Sequence, residues 1–143
     1  MGFELRDHTA DVAVSATGDS LEATFGAVAD GLAAASCDEI PTDDGERFSL
    51  SVTAEGREAL LFDYLDELIY LRDVRAELPV DHCVDSIGVA ESADGTEEWT
   101  LEASACGVPL SEIDAREVKA VTYSEMHLEQ ADDGWEAYVV FDV

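Results

Sequence analysis

The sequence predicts an α+β fold, a single compact domain in which antiparallel β-hairpins and sheets pack with two main helices. Three observations carry this. Four stretches alternate apolar and polar residues with the period of a strand. Two others repeat apolar residues at helical spacing. The strands arrive as hairpins rather than in regular βαβ units. At 143 residues, 47% of them hydrophobic, the chain can bury a core of its own. No linker, repeat or low-complexity segment divides it, so residues 1–143 read as one domain.

Short strand candidates run near 3–6 and 12–17. Ser20 is placed to cap a helix whose Leu21, Phe25, Val28, Ala29 and Leu32 share one face. Asp43-Asp44-Gly45 introduces a strand over 46–55, where Phe48, Leu50, Val52 and Ala54 alternate with Ser49, Ser51, Thr53 and Glu55. A second helix is expected over roughly 57–72, with Leu60, Leu61, Tyr64, Leu65, Leu68 and Ile69 inward and Asp63, Asp66 and Glu67 outward. Pro79 helps to end the loop that follows it.

Two hairpins complete the chain, 83–106 and 117–142. They turn at Asp94-Gly95 and Asp133-Gly134, where glycine accepts the positive φ that such turns need. Trp99, Leu101, Ala103 and Ala105 share a face in the first. In the last strand Trp135, Ala137, Val139 and Phe141 face one way, with Tyr138, Val140 and Asp142 opposite. On the same alternation Lys119 shares a face with Val121 and Tyr123.

Thirty-four acidic residues against seven basic ones give a net charge of −27. In dilute buffer such density repels itself, and at ~1 M salt, where the Debye length is about 3 Å, most of that repulsion is screened. The composition resembles that of proteins from salt-accumulating cytoplasms, so most carboxylates read as solvated surface. Arg6, Arg47, Arg57, Arg72, Arg75, Arg116 and Lys119 are scattered. Phosphate neutralisation needs clustered cations, so no direct, autonomous nucleic-acid binding is expected, and any link to RNA should run through another protein. No apolar run approaches the ~20 residues of a bilayer span, and the first residues lack the pattern of a secretory signal. A soluble cytoplasmic protein, with no membrane partner, is the expectation. Cys37, Cys83 and Cys106 are odd in number and widely spaced, which predicts reduced, largely buried thiols rather than a disulfide framework or zinc ribbon.

P-loop, G-x-G-x-x-G, G-x-S-x-G, H-E-x-x-H and EF-hand patterns are all missing. Three local features remain. His8-Thr9-Ala10-Asp11 lies at the junction of two short strand candidates; read alone, it is a turn with local hydrogen bonds. Val139-Val140-Phe141-Asp142-Val143 brings the Asp142 side chain close to the Val143 α-carboxylate; read alone, it is a docked strand with one exposed acid. Lys119 is the only lysine in a chain that otherwise uses arginine. That choice suits a compact, rotatable ammonium with a specific task, although chance competes with so few basic residues.

Together with Leu60-Leu61-Phe62-Asp63-Tyr64-Leu65-Asp66-Glu67-Leu68, these features resemble the archease family. Its sequences have HTAD near the start, an L-L-Y-D-W-L-D-E-L-like helix, a K-A-V-T-Y-H strand and a D-G-W-x-A…V-F-D-V close. Here the counterparts stand at 8–11, 60–68, 119–123 and 133–143, in the same order. The resemblance implies an accessory protein, not an enzyme, that activates an RtcB-type tRNA-splicing RNA ligase by promoting its guanylylation and turnover. It also implies a divalent-metal site, of calcium type, made by Asp11, the Asp142 side chain and the main-chain or terminal carboxylate of Val143. His8 and Lys119 would serve partner activation. A hard cation that takes six to eight oxygens and tolerates irregular geometry agrees with such ligands. Two departures stand out: Ser124 occupies a position where the family commonly has His, and the loop between Gly107 and Glu117 carries no His. His127 cannot be assumed to replace it. The alternatives are a metal-dependent phosphoester hydrolase using the same carboxylates, with His8 as base, and a chaperone-like module whose metal is structural.

Overall fold

The chain opens with one hairpin and closes with another, and the two share a sheet. The structure is a computed structural model. It describes every residue except 1, 9, 10, 38, 39, 41–45 and 132, and describes 6–8 by their backbone alone. In chain order the elements are β1 (Gly2–His8), β2 (Asp11–Gly18), α1 (Leu21–Ser36), β3 (Glu46–Ala54), α2 (Arg57–Arg75), β4 (Glu77–Glu91), β5 (Glu97–Pro109), a 3-10 turn (Leu110–Glu112), β6 (Ala120–Ala131) and β7 (Gly134–Asp142). All strand pairs are antiparallel. A four-stranded sheet has the order β1-β2-β7-β6, and a three-stranded sheet the order β3-β5-β4.

The period-2 and helical patterns become the core. Val12, Val14 and Ala16 of β2, Val139 and Phe141 of β7, Leu50 of β3 and Leu101 and Ala103 of β5 turn one face inward. There they meet Phe25, Val28 and Leu32 of α1 and Leu60, Leu61, Leu65 and Leu68 of α2. Each helix touches both sheets, so the helices lie between them, and the Phe25 and Tyr64 rings stack at 6.3 Å. Each such leucine or phenylalanine removed from water contributes roughly 1.5–3 kcal/mol. Ser20 caps α1 as expected, its Oγ accepting from the Ala23 N–H at 3.0 Å.

Several expectations are corrected. Helix α2 runs a turn longer, ends in the left-handed region at Ala76, and passes at once into β4, so Pro79 lies within a strand rather than a loop. An edge strand tolerates this, because a proline there need not donate to a ladder. Strand β6 starts at Ala120, and its register to β7 shifts between Thr122 and His127, with Glu125 at φ 57°. Val121 is buried and Tyr123, though exposed, stacks on Phe62 of α2 at 4.1 Å, so these two do share the helix-facing side, while Lys119 lies just ahead of the strand and is exposed. Of the thiols only Cys37 is buried. Cys106 is half-buried and Cys83 is exposed on edge strand β4. The Asp43-Asp44-Gly45 turn lies outside the described residues.

Gly95 has the positive φ predicted of its turn, at 87°, whereas Gly134 does not. Gly134 is needed for space instead, since a Cβ there would run into the Gly18 carbonyl oxygen where β2 meets β7. Gly134→Ala should therefore destabilise the fold by about 1–3 kcal/mol, read from urea unfolding.

One buried polar group also shapes stability. His82 is half-buried as a residue, but its Nδ1 is sealed from solvent without a hydrogen-bond partner. Nε2 faces the Pro79 carbonyl oxygen at 3.1 Å, so that nitrogen carries the proton and donates. Burial, only partly offset by this bond, pushes the imidazole down to about 4. Between that value and the ordinary 6.5 the unfolded chain holds the extra proton, so stability falls as pH drops through this window. Full expression would remove about 3 kcal/mol. The neighbouring Asp30, which accepts from the His82 N–H at 3.1 Å, pulls the other way, because burial raises its carboxyl. Urea melts at pH 7 and pH 4.5 should show a smaller acid loss in His82→Gln than in wild type.

Candidate metal centre

The sequence features set about 130 residues apart meet at one end of the four-stranded sheet. His8 of β1 pairs with Asp11 of β2, Asp11 with Asp142 of β7, and Asp142 with Ala120 of β6, a single row across all four strands. The Lys119 N–H donates to the Asp142 carbonyl at 2.8 Å, which extends the β6–β7 pairing by one bond and fixes Lys119 beside that row.

The row lies on the face turned away from the helices. Val12, Val14, Val139 and Phe141 point into the core, so alternation turns Asp11 and Asp142 outward. Asp11 is half-buried, while Asp142 and Val143 are exposed. Directly opposed residues carry their Cβ atoms about 4.5–5.5 Å apart, and like charges so placed destabilise each other. A cation between them reverses that penalty.

Lys119 is distinctive in the company of the other cations. Arg47 pairs with Asp81 at 2.6 Å, Arg57 lies over the Trp135 ring, Arg75 binds Glu77 and covers Phe48, and Arg116 donates to the Ala35 carbonyl. Among the described residues Lys119 is the basic side chain with no ion pair, hydrogen bond or ring contact. Its backbone is nonetheless held firmly. Val118 is fully buried, and the buried Arg72 of α2 donates to the Val118 carbonyl at 2.7 Å. Sequence reasoning missed Arg72 as a positioning residue. Its spacing, three after Ile69 and four after Leu68 on the apolar face of α2, was the available signal.

Two carboxylates with adjacent main-chain oxygens fit a hard cation whose shell is completed by water, and do not fit zinc. Among the described residues no third acidic, His or Cys side chain joins them. Among the described residues, the one group of three such side chains within 4.8 Å of one another is His127, Glu129 and Glu136. His127 pairs with Tyr138, four residues and roughly 13 Å along the strand from Asp142. It does not complete the Asp11–Asp142 row. The register shift does give it an unexpected place, because an unbroken strand would set Ser124 opposite Tyr138 and three extra residues bring His127 there instead. The His8 side chain lies outside the described atoms, so the row contains its backbone only.

Comparison with known proteins gives a consistent result. The model of the Archease protein family (MTH1598/TM1083) matches residues 3–143. Protein archease of Thermococcus gammatolerans is 34% identical over 145 residues, covering 99% of this chain and 98% of that protein. Its counterpart in Methanosarcina acetivorans is 32% identical, covering 99% and 95%. The solution structure of Methanobacterium thermoautotrophicum protein 1598 superposes with a TM-score of 0.76 at 30% identity, over 99% of both chains. The crystal structure of a Thermotoga maritima archease, described as a possible chaperone, superposes with a TM-score of 0.60 over 98% of this chain and 96% of the other, and at 21% identity speaks to the fold alone.

Proposed function

This chain belongs to the archease family, and from that premise we propose that it is a non-enzymatic, metal-binding accessory protein that activates an RtcB-type tRNA-splicing RNA ligase by promoting its guanylylation. The observation that carries the reading is the convergence of Asp11, Asp142 and Lys119 on one exposed sheet end, where Val143 follows Asp142 in the chain. In this reading Asp11 and Asp142 hold a divalent cation of calcium type, with Val143 as the third ligand. When bound, the ion supplies positive charge next to a lysine that has no partner within the described residues. Lys119 offers three rotatable donors to a phosphate or an acidic group in the ligase cleft. With a net charge of −27 the chain itself repels nucleic acid, which agrees with action through a protein partner.

The test is single-turnover guanylylation of the ligase with and without this protein. Stimulation is expected, and an unchanged rate at saturating protein removes the activator reading. Calcium calorimetry examines the ligand set separately. Asp11→Asn and Asp142→Asn should each weaken binding about tenfold or more, and wild-type affinity in both variants would remove these two residues from the site.

A further inference from the structure

The outer face of the four-stranded sheet carries a second cluster, at the β6–β7 hairpin rather than at the row of Asp11 and Asp142. Glu129 and Glu136 are directly opposed across the ladder, and His127 lies two residues before Glu129 on the same face. The His127 Nε2 is 3.2 Å from Glu129 Oε1 and 3.5 Å from Glu136 Oε1, and the three ligand atoms all lie within 4.8 Å of one another. Among the described residues neither carboxylate has another ion-pair partner. We propose that His127, Glu129 and Glu136 form a binding site for a borderline divalent cation such as Zn²⁺, distinct from the Asp11–Asp142 site.

Spacing, donor chemistry and scaffold each support it. Ligands held about 2.0–2.1 Å from a tetrahedral ion stand roughly 3.3 Å apart, so both nitrogen–oxygen separations already match those around a shared ion. An imidazole nitrogen selects zinc-like ions over calcium or magnesium, which take oxygen ligands. The scaffold is regular where it matters. Beyond the register shift, His127–Ala131 pairs without interruption with Gly134–Tyr138, so all three ligands project from one short, tightly closed ladder. The shift itself turns His127 outward: Leu128 is buried in the core, and His127 and Glu129 flank it on the solvent side. Three protein ligands leave a fourth position to water. The alternative, that His127 only hydrogen-bonds the two acids, makes the opposite prediction about metal.

The inference does not rest on the ligase reading, and its test uses purified protein alone. Zn²⁺ is titrated by calorimetry in concentrated KCl with excess Mg²⁺, which suppresses diffuse binding to the acidic surface. The ring resonances of His127 are followed by NMR in parallel. One Zn²⁺ should bind and shift those resonances. His127→Gln and Glu136→Gln should each weaken binding about tenfold or more, with unchanged melting curves, while Asp142→Asn should retain it. The proposal is overturned by absence of Zn²⁺ binding to wild type, by undiminished affinity in His127→Gln, or by loss of the site in Asp142→Asn.

Discussion

Between about 0.1 M and 3 M KCl the thermal midpoint of this protein should rise by about 10 °C or more. The cause is a net charge of −27 on 143 residues, together with the way the few cations are used. Arg72 is buried in the fold, Arg57 and Arg75 lie over aromatic rings, and Arg47 and Arg75 each hold a single carboxylate. Most acids are left to repel one another. On the outer sheet face two opposed pairs, Asp11–Asp142 and Glu129–Glu136, put like charges directly across from each other. Salt shortens the reach of this repulsion from about 10 Å at 0.1 M to about 3 Å at 1 M, and it acts more on the folded chain, where charges are closer. Scanning calorimetry in KCl and NaCl, with sucrose as an uncharged control, reads the effect. Similar gains in both salts at moderate concentration identify screening. A flat or falling midpoint would show that self-repulsion does not limit the fold.

The fold was legible where a single periodicity governed. Alternation in β3, β5 and β7 and the apolar faces of α1 and α2 follow from burying one side of each element, and the structure buries most of those residues and packs the rest, half-buried, against the core. Legibility failed where tertiary geometry overrode the local pattern. Residues 117–142 read as one hairpin, but the shift between Thr122 and His127 breaks the alternation of its first strand. That single irregularity explains the unforeseen approach of His127 to Glu129 and Glu136. Gly134 was read for its backbone freedom, when what it supplies is room for Gly18. As for the candidate site, its members could be picked out as odd residues. Their convergence could not, because nothing local to HTAD or to the final strand says that β2 and β7 are neighbours. The pairing of Asp11 with Asp142 is a property of strand order.

On the proposed role as a ligase activator, loss of the Lys119 ammonium should abolish most stimulation of guanylylation while leaving the fold intact. The side chain is exposed and makes no ion pair, hydrogen bond or ring contact among the described residues, so its removal costs the folded chain nothing that packing would report. Its backbone is fixed by the Lys119–Asp142 hydrogen bond and by buried Val118, neither of which needs the amine. An ammonium that meets a phosphate or an acidic group inside a desolvated cleft is worth far more than one in water, and removing such a charge-assisted contact costs roughly 2–5 kcal/mol. Lys119→Ala should therefore slow stimulated guanylylation by about 30-fold or more at limiting activator. Lys119→Arg separates charge from shape. The planar guanidinium keeps the charge but cannot take the place of a compact point donor, so the variant should also fall short of wild type. Both variants should match wild type in melting curves and in calcium calorimetry, which assigns any defect to the partner interaction rather than to fold or metal. Full stimulation by Lys119→Ala would remove this residue from the mechanism and leave the carboxylate cluster without it.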